Sequence, residues 1–520
     1  MSHSKVQPAK KKILAILFSG VLLAGLPSCG DFLEEYSQTL SYVDDLSDLD
    51  ELLIGGAYLE DRSKVCKYLW INYMDDDCKE EWFGPNEGNR PMNYIRGIYL
   101  WERYPWWEDK SVVQNTANRA PYGGNPSWQD LYVKIAVTNA VIEEVERFAG
   151  DSKTRNLYRQ VKGSACFLRA LYYFTLTNLW GLPYVAETAS TDLAVPLKTE
   201  SAIKAGGFAR NSVQELYDQI VKDLKMAVEC LQPVERSNKL YANASAARLL
   251  LARCYLYMCD WAEARKWAGE VIADVSNATF RMCNMNDFTS SAYQTATTAD
   301  RSLAWSEYIF LNGWQVILMN TTKCPQPSYS DELYGSYASN DLRKSYWFFK
   351  KSSGGNSFSH FLFQAKTSYF TPLSFTLPEA YLIEAEAAAM EDDWTGAAAA
   401  LKTIRDNRIK TGMEDVAYET FTGQEMIDFI RAERRRELAF RGLRWYDLRR
   451  YAVLPKYQLK TTIRHAVYEW GDNAAVLSGY HELGEWPGDG GWVMPFPTYA
   501  LQNNEGMLVD NDRPDRVLVQ

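Results

Sequence analysis

Histidine is scarce in this sequence, and cysteine occurs without any metal-binding or redox spacing. Only four histidines occur among 520 residues, and none stands in an HExxH arrangement. The nine cysteines form no CxxC pair, and those inside helical patterns are typical of small buried hydrophobes. The spacing leaves a Cys66–Cys78 disulfide open as an alternative to free thiols. We therefore predict no metal site and no cofactor, and the sequence contains no nucleophile motif.

The apolar run near the start of the chain lacks the length to cross a membrane comfortably. Three lysines (residues 10–12) precede the apolar residues 13–26, which suits a signal peptide. The run ends in Leu26-Pro27-Ser28-Cys29, which resembles a bacterial lipobox with the lipid on Cys29. The alternative is an ordinary secretory signal cleaved near Ser28. We predict a signal peptide over 1–28, a lipidated tether over 29–45 and a single domain over 46–520.

Positive charge is in the minority. The chain has 56 Lys and Arg against 66 Asp and Glu, a net charge of −10, and the four lysines of the signal peptide would be lost with it. An acidic exported protein is a poor candidate for binding nucleic acid or anionic lipid. We therefore predict no nucleic-acid partner, and expect attachment to a membrane only through acyl chains on Cys29.

Aromatic residues, by contrast, are abundant at 14% of the chain, with 17 Trp and 33 Tyr. They crowd into two stretches rich in turn residues, 66–125 and 275–375. Trp and Tyr suit wet, amphipathic binding surfaces, and flat rings beside polar side chains suit the faces and hydroxyls of sugars. For any single ring, packing in the core is the alternative. The predicted ligand-binding candidates are Trp70, Asn72, Asp75, Trp82, Arg96, Tyr99, Trp101, Trp106, Trp107, Trp305, Tyr308, Trp314, Tyr334 and Trp347.

Helical patterns and capping signals occupy the rest of the chain. We predict helices over about 46–60, 127–274 and 376–451, and an irregular part over 452–520. The spacing of Ser or Thr three residues before Glu or Asp predicts helix starts at Thr422, Ser212 and Ser127. Gly181 and Pro183 predict the end of a long helix that begins near Thr154.

Two helical segments repeat each other at an offset of 133 positions. Asp260-Trp261 aligns with Asp393-Trp394, and alanines flank both pairs at matching positions. Small residues on both sides of a turn let two antiparallel helices approach closely, as in tetratricopeptide-like hairpins. Chance similarity between alanine-rich helices is the alternative. The predicted fold is mostly α: a tetratricopeptide-like hairpin scaffold (an α-α superhelix) carrying a large loop-rich, aromatic-rich region.

Residues 421–451 contain eight arginines and no lysine. This stretch predicts two helices hinged at Gly442, and three interpretations compete for its arginines. They form an anion or nucleic-acid patch, a solvated basic helix, or an internal network. The interleaved acids Glu433, Glu437 and Asp447 favour the internal network, because a planar, bidentate guanidinium pairs well with a half-buried carboxylate.

Several segments, in order over nearly the whole chain, resemble the SusD/RagB family of outer-membrane nutrient-binding lipoproteins. The matching segments are the lipobox with the acidic residues 31–35, which resemble a Bacteroidetes surface-display signal, then 163–174, 178–183, 378–387, 433–440, 442–449 and 494–497. The resemblance implies a non-enzymatic protein without catalytic residues. It also implies an outer-membrane location facing the cell exterior, and a role as a lid on a SusC-like, TonB-dependent transporter that imports captured oligosaccharide.

Two other functions remain open from the sequence. The same scaffold could bind peptide or glycoprotein-derived cargo, since tetratricopeptide-like surfaces bind partners generally. A glycoside hydrolase would need two carboxylates about 5–10 Å apart, and Asp75 with Glu80 is one candidate pair. Acids are so frequent in this chain that such a pair carries little weight.

Overall fold

The computed structural model describes residues 43–58, 68–80, 96–103, 105, 126–202, 206–234, 238–276, 280–292, 295–312, 328–353, 356–361, 373–470 and 475–520. Within these ranges, Val43–Gln520 forms one compact unit. No helix among the described residues combines the length and the apolar character needed to cross a membrane. Cys29 and the other residues up to 42 lie outside the described part of the chain.

Helices dominate the structure. In chain order they are α1 (Leu46–Gly56), α2 (Arg96–Tyr99), α3 (Pro126–Glu144), α4 (Arg155–Trp180), α5 (Val213–Leu231), α6 (Ala244–Tyr257), α7 (Trp261–Ala273), α8 (Thr298–Trp305), α9 (Asp331–Gly335), α10 (Leu342–Trp347), α11 (Leu377–Met390), α12 (Trp394–Asp406), α13 (Gly423–Glu437), α14 (Arg444–Tyr451) and α15 (Thr498–Gln502). The long helices pack mainly on their neighbours in sequence, as the predicted hairpin scaffold requires.

Short strands form four two-stranded antiparallel sheets in the described residues. The strands are β1 (Cys78–Lys79), β2 (Tyr308–Phe310), β3 (Ser328–Tyr329), β4 (Phe348–Ser353), β5 (Asn356–Phe361), β6 (Phe375–Thr376), β7 (Ile463–Trp470) and β8 (Ala475–Leu483). The sheets pair β1 with β3, β2 with β6, β4 with β5, and β7 with β8. The β7–β8 hairpin corrects the prediction that residues 452–520 are irregular throughout.

The predicted repeat is confirmed in the geometry of two hairpin turns. Asp260 begins α7 and Asp393 begins α12, and each side chain accepts a hydrogen bond from the backbone N–H three residues on. The residue before each aspartate has a positive φ, 61° at Cys259 and 62° at Asp392. Non-glycine residues rarely adopt this conformation, so the two turns share an unusual backbone geometry as well as a sequence.

The predicted helix starts have mixed outcomes. Ser212 and Glu215 form the expected reciprocal capping box at the start of α5. Thr422 directly precedes α13, but its side chain makes no capping hydrogen bond. Ser127 is not a cap, because α3 already begins at Pro126. Its hydroxyl instead accepts a hydrogen bond of 2.8 Å from Trp70 Nε1.

The arginine-rich stretch forms an internal network, which confirms the third interpretation. Arg343 reaches Glu433 at 2.8 Å and Glu437 at 2.7 Å, and Arg408 reaches Glu437 at 2.7 Å. We call these residues, together with further ion partners on the neighbouring helices, the arginine cluster. Those partners are Arg405, Arg434, Arg436, Asp447, Arg450 and Glu386. The cluster ties α10, α11, α12, α13 and α14 together.

Electrostatics keep Glu437 and Asp447 of the arginine cluster charged. Burial alone would raise the pKa of Glu437, but the charges of Arg408 and Arg343 outweigh it and hold the pKa below its ordinary value. The same balance, with Arg434 and Arg450 as the cations, lowers the pKa of Asp447. These carboxylates therefore stay ionised inside the protein.

Gly442 lies in the turn between α13 and α14, as predicted. Its φ of +74° belongs to the left-handed region that favours glycine. A Cβ atom at this position would lie 2.8 Å from Leu373 and 3.2 Å from Ile71. The backbone N–H of Gly442 also donates a 2.8 Å hydrogen bond to the Asn72 side chain. The hinge thus packs directly against the first aromatic-rich region.

Candidate ligand-binding surface

The two aromatic-rich regions of the sequence meet in the structure. Strand β1 pairs with β3 in antiparallel register, with Cys78 opposite Tyr329 and Lys79 opposite Ser328. Side chains support this pairing, because Lys79 Nζ lies 2.8 Å from Asp331 and the Ser330 hydroxyl donates a 2.8 Å hydrogen bond to the Asp76 carbonyl. We call these two strands and the residues that flank them the β1–β3 junction. Residues about 250 positions apart therefore contribute to one surface.

Most of the described ligand candidates are buried. The seven buried side chains are Trp70, Asn72, Asp75, Tyr99, Trp101, Tyr308 and Trp347. Several have polar partners within the fold: Trp101 Nε1 donates a 2.9 Å hydrogen bond to the Met74 carbonyl, and Asn72 accepts one from Gly442. In this conformation these residues hold the loop-rich region against the scaffold and do not face solvent.

Tyr99 and Trp101 enclose a histidine, His465, that no pattern in the sequence singled out. The His465 ring stacks on both, with centroid distances of 3.9 Å to Tyr99 and 4.3 Å to Trp101. Its Nδ1 lies 2.5 Å from the Tyr99 carbonyl and its Nε2 lies 3.0 Å from the Asp75 carbonyl. Burial outweighs these contacts and lowers the pKa of His465 to about 4. His465 thus fastens β7 to the first aromatic-rich region.

Three candidates keep access to solvent: Tyr334, Trp305 and Arg96. Tyr334 is 39% exposed. Its ring stacks on Tyr329 at a centroid distance of 5.5 Å, and Lys344 Nζ lies 4.7 Å from its centroid. Lys344 Nζ also donates a 2.7 Å hydrogen bond to the Tyr337 carbonyl. The exposed ring therefore offers a flat apolar face beside an ammonium group with two further N–H donors. Tyr329 and Lys344 were not among the predicted site residues, and no local pattern pointed to Lys344.

Trp305 is partly exposed at the end of α8. Its ring contacts Tyr308 at a centroid distance of 5.2 Å, and Lys239 Nζ donates a 3.3 Å hydrogen bond to the Trp305 carbonyl. Burial and, to a smaller extent, the charge of Arg281 lower the pKa of Lys239 to about 8. Trp82, Trp106, Trp107 and Trp314, the remaining predicted candidates, lie outside the described residues.

The third accessible candidate, Arg96, is hydrogen-bonded within the fold, but its side chain remains 24% exposed. Its Nη2 donates a 2.6 Å hydrogen bond to the Tyr468 carbonyl on β7, and its Nε lies 3.7 Å from Glu80 Oε2. The backbone N–H of Glu80 donates a 3.1 Å hydrogen bond to the Tyr99 hydroxyl. Arg96 and Glu80 therefore lie between β1, α2 and β7.

Three consecutive aspartates at the β1–β3 junction have the proximity of cation ligands. Carboxylate oxygens of Asp75, Asp76 and Asp77 lie within 4.8 Å of one another. Arginines already neutralise two of them, because Arg444 binds Asp76 at 2.8 Å and Arg435 binds Asp77 at 2.7 Å. Burial and the two neighbouring acids raise the pKa of Asp75. The three aspartates thus extend the ion pairs made by the arginines of α13 and α14.

The cysteines of the described residues are free thiols. Cys78 is buried, and burial raises the pKa of its thiol. Cys66, the other half of the disulfide that the spacing left open, lies outside the described residues. A buried thiol of raised pKa is unreactive, so Cys78 acts here as a packing residue.

The fold defines the class of protein. It is a scaffold of helical hairpins that carries a surface built from aromatic-rich loops. Comparisons with known proteins then identify the family. A family model described as starch-binding and associating with the outer membrane matches residues 85–256, and the model of the SusD family matches residues 366–512. The chain belongs to the SusD/RagB family. Members of this family are, in general, carbohydrate-binding proteins associated with the outer membrane.

Individual relatives agree with this assignment. SusD-like protein P2 of Formosa agariphila is 24% identical over 442 residues, which cover 74% of this chain and 79% of that protein. A solved SusD superfamily protein of Bacteroides vulgatus has a TM-score of 0.65 at 19% identity, covering 90% of this chain and 99% of that one. A solved structure from the same organism, described as a putative sugar binding protein, has a TM-score of 0.63 at 21% identity, with coverage of 90% and 98%. At these identities the solved structures establish the fold.

Proposed function

We propose that this protein is a cell-surface lipoprotein that captures oligosaccharide and passes it to a SusC-like, TonB-dependent transporter. Cys29 carries the lipid anchor in this proposal, and the accessible residues of the two loop-rich regions bind the glycan. Membership of the SusD/RagB family supports the role, as does the sugar-binding description of a structural relative. No cofactor takes part.

The observation that carries the glycan assignment is the exposed ring of Tyr334 beside Lys344. A sugar ring presents C–H groups on its face and hydroxyls around its rim, so it matches a flat aromatic surface with donors at the edge. Tyr329 supports the Tyr334 ring from within the protein, which limits the conformational entropy lost on binding. Trp305 offers a second accessible aromatic group.

Hydrolysis of the glycan is a less well supported function for the same surface. Catalysis of glycoside cleavage needs two carboxyl groups that reach the substrate. Both acids of the candidate pair, Asp75 and Glu80, are buried, and burial is the main cause of the raised pKa of each. We therefore propose a binding function without chemistry on the cargo.

Binding measurements on single variants test the proposal. Calorimetry and affinity gels would compare the parent with Tyr334→Ala and Trp305→Ala on a panel of starch, xylan, mannan, pectin, a glycoprotein and a peptide digest. We expect the parent to bind a polysaccharide and Tyr334→Ala to weaken that binding about tenfold or more, since about 1.4 kcal/mol corresponds to tenfold. Tyr158→Ala is the matched control, because Lys162 Nζ lies 5.4 Å from that ring on the scaffold helix α4.

The panel also separates the competing functions. Binding of only the glycoprotein or the peptides would replace oligosaccharide by that cargo. Release of free sugar from a polysaccharide would reinstate a hydrolase. If the parent, Tyr334→Ala and Trp305→Ala bound the polysaccharide with equal affinity, the proposed contacts between these aromatic rings and the glycan would be wrong. The Cys29→Ala protein tests the anchor, and it should no longer be found in the membrane fraction. The partner is tested by purifying the parent from native membranes, where a large outer-membrane transporter should copurify.

A further inference from the structure

The two accessible aromatic candidates, Tyr334 and Trp305, both have a cationic side chain as a neighbour. Lys344 Nζ lies 4.7 Å from the centre of the Tyr334 ring. Lys239 Nζ donates hydrogen bonds of 3.3 Å and 3.4 Å to the carbonyls of Trp305 and Ser306. Both lysines are partly exposed. The two aromatic residues belong to different helices, α9 and α8, but they share this type of neighbour.

A second cation accompanies Lys239. Arg281 is exposed, and its backbone N–H donates a 3.0 Å hydrogen bond to the Ser306 carbonyl, which Lys239 also reaches. Besides burial, the charge of Arg281 lowers the pKa of Lys239 to about 8, so the two cations lie near each other. Lys239 is still mostly protonated at pH 7. The carbonyls at the C-terminal end of α8 attract one cation, but they do not account for a second.

No carboxylate of the described residues forms an ion pair with Lys344, Lys239 or Arg281. Lys344 Nζ donates instead to the Tyr337 carbonyl at 2.7 Å, and Lys239 donates to the carbonyls at the end of α8. A carbonyl accepts the hydrogen bond but does not neutralise the charge of the donor. The chain has 66 acidic against 56 basic residues, so a shortage of acids does not explain these unneutralised cations.

A lysine beside an aromatic ring on the scaffold is neutralised, by contrast. On α7, Lys266 Nζ lies 5.0 Å from the centre of the Trp267 ring and 2.9 Å from a carboxylate oxygen of Glu263. Trp267 Nε1 donates a 2.9 Å hydrogen bond to the other oxygen of Glu263. The acid there satisfies both side chains. At the two candidate rings the positive charge is left for a ligand to pair with.

We propose that the glycan bound by this protein is acidic and carries carboxylate or sulfate groups. One such group pairs with Lys344 beside Tyr334, and another pairs with Lys239 and Arg281 next to Trp305. This inference rests on the proposed glycan-binding function and adds to it the charge class of the ligand. The C–H face of a sugar unit contacts the aromatic ring, and the anionic group at its edge accepts charge-assisted hydrogen bonds from the cation.

Pairs of polysaccharides that differ only in charge test the ligand class. Polygalacturonate and its methyl-esterified form test carboxylate, and dextran sulfate and dextran test sulfate. Calorimetry at pH 7 and low ionic strength should show tighter binding of the charged member in at least one pair, and that pair identifies the anionic group. Equal binding of charged and neutral members in both pairs would contradict the proposal, as would a parent protein that binds only neutral polysaccharides.

Single variants locate the charge. Lys344→Met removes the ammonium group and keeps an unbranched side chain, so we expect about fivefold weaker binding of the acidic polysaccharide, with a smaller difference in about 1 M salt. Lys344→Arg keeps the charge and should bind nearly as the parent does. Arg281→Met tests the second ring at an exposed position and leaves the Lys239 contacts with α8 in place. It should weaken binding by a similar factor.

Lys266→Met is the matched control, because it removes a lysine beside a ring that Glu263 already neutralises, and it should bind as the parent does. Tyr334→Ala, measured on the same polysaccharide, separates the two proposals. Weaker binding by Tyr334→Ala with parental binding by both Lys344→Met and Arg281→Met would refute the charge pairing and leave the glycan function standing. Binding of poly-glutamate but of no acidic polysaccharide would make an acidic peptide the ligand. A parent protein that binds no saccharide would overturn both proposals.

Discussion

The arginine cluster and the β1–β3 junction both bury arginine beside carboxylate, but they differ in how the pairs are bonded. In the cluster, Glu437 accepts hydrogen bonds from Arg343 and Arg408 at 2.7 Å each. At the junction, Glu80 lies 3.7 Å from Arg96 and accepts none. The cluster lowers the pKa of Glu437, whereas burial at the junction raises the pKa of Glu80. The charges are alike, but their hydrogen bonding and the direction of the pKa shift are opposite.

This difference separates a carboxylate that stabilises the fold from one that costs stability. A carboxylate that already has its donors contributes to folding and offers nothing to a ligand. A buried carboxylate held without donors costs stability. The arginines of residues 421–451 therefore identify the scaffold, although they are the most conspicuous charges in the sequence. The accessible residues of the β1–β3 junction are the better candidates for recognition.

Removing a bonded carboxylate from the arginine cluster should have the largest effect. Glu437→Ala leaves Arg343 and Arg408 without one of their acceptors in a buried site, and we expect a loss of about 3–5 kcal/mol in the free energy of unfolding. Urea unfolding at pH 7 would measure it. The lowered pKa of Glu437 means that this stabilisation is present above the ordinary glutamate pKa and is lost as the pH falls below it.

Two further measurements sharpen this result. Glu425→Ala, at an exposed position on the first turn of the same helix, should change stability by less than about 0.5 kcal/mol. Glycan affinity of the folded Glu437→Ala protein should match the parent. A variant of normal stability that no longer binds glycan would reverse the roles assigned to the two regions.

His465 joins the β1–β3 junction to the β7–β8 hairpin, and its pH dependence should be the next largest effect. A pKa lowered from 6.5 to about 4 gives stability that is present above pH 6.5 and lost as the pH falls towards 4. Phe in its place keeps the stack between Tyr99 and Trp101 and does not titrate. Between pH 7 and 4.5, the parent should therefore lose about 2.5 kcal/mol more than His465→Phe.

Comparing the parent with His465→Phe separates the effect of the histidine on stability from the effects of its charged neighbours. Asp75, Asp76 and Asp77 precede β1, and Arg444 on α14 faces them, but all four are present in both proteins. A neutral imidazole has one N–H, so only one of the two carbonyl contacts of His465 is a hydrogen bond. If the parent gained stability relative to the variant on acidification, the ring would be protonated and bonded to both carbonyls.

The sequence predicted the scaffold better than the surface, for physical reasons. Asp260 and Asp393 act locally, by capping the helices that follow them, so their repeated spacing was sufficient to predict two hairpins. The arginine cluster was predictable in part, because Glu433 and Asp447 are interleaved with arginines of the same stretch that bind them. Glu437 pairs instead with Arg343 and Arg408, which lie outside that stretch. Burial of Trp101 was not, since an aromatic ring in a loop suits a core and a ligand surface equally.

Long-range pairing accounts for most of what the sequence did not show. β1 and β3 contribute two residues each and lie about 250 positions apart, which leaves no periodic signal to read. The β7–β8 hairpin was missed although a signal existed: β-branched and aromatic residues at 463–470 and 475–483 flank the turn residues Gly471-Asp472-Asn473. His465 gained its role only through that hairpin.

The smallest expected effect tests whether hydrogen bonding without burial is sufficient for stabilisation. Arg265 on α7 bonds to Glu384 at 2.8 Å and to Asp393 at 2.6 Å, and so connects the two repeated hairpins, but its side chain is 33% exposed. Water and salt screen such pairs, so Arg265→Ala should lower the free energy of unfolding by only about 1 kcal/mol, and by less in 1 M salt. Lys266→Ala, which removes a pair with Glu263 on the same helix, is the control and should cost less. If Arg265→Ala were as costly as Glu437→Ala and insensitive to salt, then the number of hydrogen bonds, and not burial, would set the strength of the arginine cluster.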